Sequence, residues 1–510
     1  MKNKDNKTVL LLANKMELQA SAYWKKDITG EDGDSVEDGG YSRVPYLYIN
    51  GKKIDYFDIT NFVIKQRGFL PTVSVTFTDN SNYFNAVNMI KDGDTMSVVL
   101  LSPGDTMKYK PVMCDFNIVS IKNLSARNLD SNDYVCEYRI SGELKIQELK
   151  KRSSMSIVNK TSFDALKEIC EKCGIGFASN IEQTSDKQTW INCNDTIETF
   201  VQNIAAHSYL DDTSFFKCFI DLNYNLNFVE LDRMFTQVKK NEFKKDVVVY
   251  YANFSSNEYT VEKEGGEHKK ESINMLTNNT NNIGYNNYIL KFSISTNNDV
   301  SKTYRKYTRY WDFTAKGFVD EFVEGQNHQT DGMIAVNKGQ IINDENWSLE
   351  HLYSFIDYSI SDNTNIHENY YFAETNNLLN LEESHNYKAD VVLEANCMNI
   401  LNYSTIWVDY YDKSTLNVDS QKTFLNDNGE EDDGEEDSQK RLKSDIQEKE
   451  KETNTEENTD TDVMVYNNGL SGCYVVCGFD YVFEGEGFRQ HVSLIRRETE
   501  PNIKYYNAKK

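Results

Sequence analysis

Cys170 and Cys173 stand at the spacing of a metal-binding or redox pair, and Cys193 and Cys218 follow in the same stretch. Four thiolates so placed could hold zinc, whose structural sites are tetrahedral and sulfur-rich. Yet Cys170 and Cys173 fall on the apolar stripe of a predicted helix and no second close pair follows, so they read as buried structural thiols. Cys473 and Cys477, four apart in a predicted strand, share a face and read the same way. His207 closes a predicted helix, where an imidazole can cap carbonyls or favour the helix dipole. A general-base role would need a partner that the sequence does not place. Arg496 and Arg497, in SLIRRETEP, are the last basic cluster, and an ion pair, a subunit contact and plain solvent exposure are all open to them. Carboxylates are so numerous that pairs of them say nothing about glycosidic chemistry. The chain has no GxSxG elbow, P-loop or HExxH, and no GxGxxG between a strand and a helix. The sequence thus offers no catalytic, cofactor-binding or metal-binding residue, and it reads as a non-enzyme without a cofactor.

The elements around those cysteines are the best defined in the chain. Between Thr161 and Phe235 the hydrophobic period changes from helical to strand-like and back, which marks a compact α/β module. Thr161 and Asp164 stand at capping-box spacing, with Asp replacing the stronger Glu, so a helix starts there. Phe163, Leu166, Ile169, Cys170 and Cys173 form its apolar stripe, and Gly174 ends it with a left-handed cap. A short strand is expected over 175–178. The chain dips into the core at Trp190 and Ile191. Asn194 or Asp195 then caps a second helix that buries Ile197, Phe200, Val201, Ile204 and Ala205. Residues 215–221 and 226–232 are two strands joined by a tight turn at Asn223–Asn225.

The succession GIGFASNIE, TWIN, a helix ending in AHSY, then SFFKCFIDLNYNLNFVEL resembles the central α/β domain of baseplate hub proteins of contractile-tailed phages, in the superfamily of late-control and type VI spike-hub proteins. The likeness lies in order, spacing and residue type across roughly seventy positions, not in a catalytic signature. It implies a trimeric hub with two tube-type β-barrel domains per chain and a spike docked beneath.

Composition agrees with a large β-rich protein. A chain of 510 residues exceeds what one core serves, so three or four domains are expected. Aromatic residues make up 12% of the chain, mostly Tyr and Phe, and favour strands. The formal charge of −25 argues against sustained contact with nucleic acid, which needs Lys and Arg to displace counterions. It suits the wall of a conduit, and also the solubility of a large acidic protein. Nine scattered cysteines, an odd number, point to reduced thiols and assembly in a cytoplasm. The apolar run VLLLA is interrupted by Asn14, Lys15 and Glu17 and is too short for a signal core. No window reaches the ~20 apolar residues of a membrane span.

In chain order, residues 1–42 read as an N-terminal arm, with an apolar patch followed by the acidic TGEDGDSVEDGG, ordered only against a neighbour. Residues 43–150 are the first tube-like barrel. There Tyr46–Ile49 should be covered on both faces, Asn50-Gly51 makes a type I′ turn, and Val73, Val75 and Phe77 alternate with Ser74, Thr76 and Thr78. The resemblance places QRGFLPTVSVTF and DGDTMSVVLLS in that barrel. Residues 151–245 are the small α/β domain. Residues 246–263 and 385–505 form the second barrel, interrupted by an insertion over 264–384 that holds aromatic strands near 288–295 and 304–313 and a helix over 348–359. Within the second barrel, residues 427–462 carry sixteen acidic and five basic side chains and read as a disordered surface loop.

The fold class expected is therefore α+β, mostly antiparallel β, with two tube-type β-barrels flanking a small α/β domain. The function expected is a structural hub subunit in the virion tail baseplate, assembled in the host bacterial cytoplasm. It would form a homotrimeric ring that adapts a six-fold tail tube to a three-fold central spike and lines the channel for DNA. Its partners would be its own copies, the tube protein, the spike or tail lysozyme and other baseplate proteins, with no specific nucleic-acid binding and no membrane span. The alternatives are a tail-tip adhesin, marked by binding to host cells, and a tail-associated cell-wall hydrolase, marked by peptidoglycan clearing.

Overall fold

The computed structural model describes residues 8–29, 45–100, 111–127, 134–235, 248–252, 290–294, 305–312, 316–324, 334–335, 355–356, 366–385, 387–394, 402–414, 463–466, 472–484 and 487–499. They form a mostly antiparallel β protein with few helices.

The α/β module follows its sequence closely. The Thr161 hydroxyl accepts from the Asp164 N–H at 3.2 Å, the helix Ser162–Cys173 buries the expected stripe, and Gly174 ends it at φ 71°. The second helix, Ile197–Ala206, is capped by Thr196, whose side chain accepts from the Thr199 N–H, and not by Asn194 or Asp195. A cap needs extended backbone, which Thr196 has at φ −65°, ψ 151°. Asn194 lies instead in the left-handed region at φ 71°, and the Asp195 N–H is taken by the Asn192 side chain. Phe216–Ile220 and Asn225–Glu230 make the hairpin, with Tyr224 supplying a left-handed turn residue at φ 61°. Gly176–Ser179 lies parallel to the second hairpin strand. Gly176 is required there, because a Cβ would come within 2.9 Å of the Leu12 carbonyl oxygen.

That carbonyl belongs to a fourth strand. Val9–Leu12 pairs antiparallel with Gly176–Ser179 and completes the sheet, and the helix Gln19–Thr29 follows it. Residues 8–29 thus dock on their own chain, where the sequence suggested an arm fixed only by a neighbour. The open edge of the module sheet supplied backbone partners that composition does not reveal. The acidic run after Thr29 lies outside the described residues. A second pairing invisible in the sequence joins Arg152–Lys160 to Gln188–Thr196.

Most of the remaining strands run into one fourteen-stranded sheet, while Arg305–Asp312, Gly317–Glu324 and Phe355–Ile356 form a separate sheet and Ile334–Ala335 pairs with Glu498–Thr499. In residues 46–144 the order is Lys52–Ile54, Tyr46–Ile49, Thr95–Leu100, Val112–Arg127, Tyr134–Leu144, Thr72–Thr78, Ile59–Gln66. Asn50 and Gly51 take the positive φ values of the expected turn, and Leu47, Tyr48 and Ile49 are all buried. Ile59–Gln66 then pairs with Gly472–Glu484, which continues to Gly487–Ile495, Tyr387–Glu394 and Leu290–Ile294. Among the described residues no separate closed barrel forms. Strands expected in two barrels share an edge, because pairing satisfies the backbone groups that two open sheets would leave exposed.

Two expectations for 264–384 change. Leu290–Ile294 belongs to the large sheet through Tyr387–Glu394. The helix lies at Tyr370–Ser384, while inside 348–359 the described pair Phe355–Ile356 is a strand against Arg305–Asp312. The helix was hidden because its buried positions include Thr375, Asn376, Asn377 and Asn380, which form no apolar stripe. Residues 253–263 of the expected second barrel and the acidic segment 427–462 lie outside the described residues.

Candidate assembly surface

The edge shared by the two strand sets defines the surface. Along Ile59–Gln66, Phe62, Ile64 and Gln66 are buried, while Val63 and Lys65 point to the other face. Register carries that face across the sheet. Lys65 is opposite Asp480 on one side and Thr72 on the other, and Thr72 is opposite Glu143. In the next row Val63 stands between Val482 and Ser74, and Ser74 opposes Ser141. Most of these side chains are short, polar or of mixed charge, and most are at least partly exposed, whereas Val73, Val75, Phe77 and Ile140 fill the core behind them. One face is thus apolar and covered, the other wet, the ordinary arrangement of an antiparallel sheet with one free side.

The seam is also tied by side chains. Arg67 Nε donates to Asp480 at 2.7 Å and its Nη1 to the Ser493 hydroxyl at 2.8 Å, and Ser493 donates to Asp390. Gly478 sits at a bulge there, where a Cβ would come within 3.2 Å of the Gln66 carbonyl oxygen.

Two polar joints fix the module to this wall. In the first, the Asp115 carboxylate accepts from the Gln19 and Ala20 N–H groups at 2.6 and 2.9 Å and from the Ser97 hydroxyl at 2.6 Å. A carboxylate at a helix N-terminus satisfies orphan donors and complements the dipole. In the second, residues 366–385 clamp the module. Asn377 Oδ1 accepts from the Phe216 N–H, while its Nδ2 donates to the Ala206 and Ser208 carbonyls. His367 Nε2 donates to the His207 carbonyl at 2.9 Å.

His207 does end its helix, as its position suggested, but its ring serves the clamp. Nδ1 donates to the Asn203 carbonyl, Nε2 lies 3.2 Å from Glu374, and the ring stacks on Tyr370 with centroids 3.8 Å apart. The hydrogen bond from His207 holds the Glu374 carboxyl below its usual range, against the effect of burial. Burial pushes the His367 imidazole down. This is a packed structural cluster rather than an acid–base pair facing a substrate cleft. The sequence signal that could have found it is the match of a helix-ending His to a Tyr-rich segment, which is too common to be specific.

The cysteines are not gathered as a ligand set. Cys170, Cys173 and Cys218 share the core, whereas Cys193 is exposed on the strand opposite Ser154. Burial pushes the Cys173 thiol up to about 11 and Cys218 up to about 12, so both are protonated near neutrality. Among the described residues no group of three His, Cys, Asp or Glu side chains could hold a metal ion. Cys473 is buried and Cys477 partly so. Arg496 is buried against the Tyr474 ring, which removes solvent exposure from its three readings. Arg497 forms an ion pair with Asp232 at 2.7 Å.

No protein-family model and no curated protein matches the chain. Among solved structures it is similar to a 43 kDa tail protein of prophage MuSo2 from Shewanella oneidensis, with 11% identity, 89% of this chain and 98% of that one covered, and a TM-score of 0.46. A tail protein from Neisseria meningitidis is similar with 8% identity, 89% and 96% coverage and a TM-score of 0.41. An Escherichia coli component of the type VI secretion system, described as structurally similar to T4 bacteriophage tail proteins, is similar with 9% identity, 90% and 80% coverage and a TM-score of 0.37. The structural neighbours are thus phage tail proteins and type VI spike-related proteins. No described helix is long and apolar enough to cross a membrane.

Proposed function

We propose that the chain is a non-enzymatic structural subunit of a phage tail baseplate hub, and that three copies close into a ring whose wet sheet face lines the channel. The observation that carries this reading is the seam. Asn61–Gln66 pairs with Phe479–Glu484, so one polypeptide supplies a wide, continuous wall with a covered and a wet face. The strand set of residues 43–150 and that of 246–263 with 385–505 act as two tube-type units around the α/β domain of 151–245, with 264–384 as accessory sequence. Two units per chain in a trimer present six similar edges, which is how a three-fold body meets a six-fold tube.

Exposed apolar side chains support contacts with other subunits. The rings of Tyr56 and the 78%-exposed Phe57 lie together at a turn, tilted by 35° with centroids 3.8 Å apart, and Asp58 there accepts from Asn80 at the base of the loop that exposes Val87 and Met89. Such clustering is typical of surfaces that are covered in an assembly. The partners in this reading are the tail tube protein, the central spike or tail lysozyme and other baseplate proteins, in a virion assembled in the bacterial cytoplasm. Native mass measurement of the purified chain tests the reading. A trimer with a central opening in electron images is expected, and a strictly monomeric species at assembly concentrations would overturn it.

A further inference from the structure

The large sheet contains an unbroken antiparallel run of eight strands, from Val112–Arg127 through the seam to Leu290–Ile294. Both ends of that run are open. At one end Thr95–Leu100 covers Val112–Arg127 only as far as Asn117, and the last backbone bonds on that side join Ile118 to Gly93 and Asp94. No described strand lies along that side of residues 119–127, although half of the backbone groups there point away from Tyr134–Leu144. At the other end Leu290–Ile294 pairs with Tyr387–Glu394 and with no other described strand.

A long open edge is normally blunted or covered. Here a bulge between Ile118 and Ser120 marks where the edge begins, and Val119 and Leu124 beyond it are 55% and 48% exposed. The stretch from Val119 to Leu124 has no proline and one charge, Lys122, which stands opposite Arg139 on the wet face, so a strand added in the plane of the sheet does not bury it. The two ends are also offset along the strands. Followed from partner to partner, the row through Lys122 passes Arg139, Thr76, Asn61, Glu484 and Gly487. Continued at the registers of the next two pairs, it meets the line of the last strand five residues before Leu290. The centre of Leu290–Ile294 is thus displaced by about eight residues from the centre of the free stretch, across eight strands.

We propose that residues 119–127 of one copy pair antiparallel with Leu290–Ile294 of a second copy, so that the sheet runs on from chain to chain. Because the run has an even number of strands, its two ends point in opposite directions, and each copy presents the edge that the next one needs. The contact joins unlike surfaces, the kind that closes into a ring. A stagger equal to the number of strands sets a tilt of about 36° in eight-stranded barrels, and closure depends on the same ratio here. The number of copies rests on the hub reading, whereas the pairing itself needs only a second chain. Three copies give about twenty-four strands, which at ~4.8 Å spacing and that tilt enclose a ring roughly 45 Å across between backbones.

The test is cross-linking between full-length chains in a Cys193→Ser background, which removes the exposed native thiol. With the two centres matched, Lys122 comes opposite Ser293. In one chain these residues lie at opposite ends of the eight strands, so a disulfide in the double variant K122C with S293C must join two copies. Mild oxidation should give covalent dimers and trimers that a reductant reverses, while neither single variant cross-links. The pairs L124C with S293C and K122C with K291C read the registers two residues to either side. A chain whose native mass is trimeric but which cross-links in none of the three pairs overturns this seam and leaves the hub reading standing. Cross-linking by K122C alone would mean that two free edges of the same kind meet, which also overturns it. A wild-type chain that stays monomeric removes the hub reading and the seam together.

Discussion

The phenol of Tyr224 closes a two-way hydrogen bond with the backbone of Asp115, accepting its N–H at 2.8 Å and donating to its carbonyl oxygen at 3.2 Å. Tyr224 is the left-handed residue of the module hairpin, and Asp115 is the strand residue whose carboxylate caps the helix Gln19–Thr29. One pair therefore links the module, the wall and the N-terminal segment.

Tyr224→Phe removes both bonds without a large change in volume and leaves a buried backbone N–H without its partner. A loss of about 1–3 kcal/mol is expected in denaturant unfolding. Asp115→Ala should cost a similar amount and also release residues 8–29, seen as faster proteolysis near the N-terminus in an otherwise folded chain. Equal protection of that segment in both proteins would contradict the capping role.

Asn377→Ala strands three buried backbone groups, the Phe216 N–H and the Ala206 and Ser208 carbonyls. The expected cost is roughly 2–4 kcal/mol. Asn377→Leu, which restores volume but no hydrogen bond, should not recover it. Recovery by leucine would show that the clamp is held by packing alone.

Burial, with Asp232 nearby, pushes the Glu230 carboxyl up to about 8, although the Asp232 and Arg233 N–H groups donate to it. A carboxyl raised in the folded state stabilises fully below its unfolded value near 4.5 and loses that contribution as pH rises through about 8. The unfolding midpoint should therefore fall between pH 5 and pH 9, and this slope should flatten in Glu230→Gln.

His367 acts in the opposite sense. Its folded value is lowered by burial, so its contribution is present above its unfolded value of about 6.5 and is lost as pH falls through the depressed folded value. Asp186, Glu374, His207, Tyr209 and Tyr370 are titratable groups around that joint. Hydrogen exchange over residues 366–385 should accelerate at acidic pH in the wild type and show less pH dependence in His367→Gln.

Val63 and Val482 are directly opposed across the seam. The double variant V63C with V482C should form a disulfide on mild oxidation, read by mass and by a gel shift that a reductant reverses. Failure to form would show that the two strand sets do not share this register in solution.

The module was legible because each local signal agreed with its neighbours. Thr161, Gly174 and the Asn223–Asn225 turn announced themselves by type, and the helix stripes by period. The strands around Val73–Phe77 were legible by alternation for the same reason. What the sequence hid was partnership over distance. Nothing in Asn61–Gln66 says that Phe479–Glu484 will lie beside it, and nothing in VLLL says that it will find the edge at Gly176–Ser179. The clamp helix was missed because it buries asparagines, whose value lies in backbone groups that a one-dimensional pattern cannot show.

The strand Ile59–Gln66 leaves the ribosome more than four hundred residues ahead of its partner Gly472–Glu484. Until that late segment emerges, the nascent chain carries an open edge able to pair with any neighbouring copy on the same polysome. Completion of the wall thus waits on the synthesis of Gly472–Glu484. Premature termination anywhere before residue 472 should yield a sticky fragment rather than a smaller working subunit.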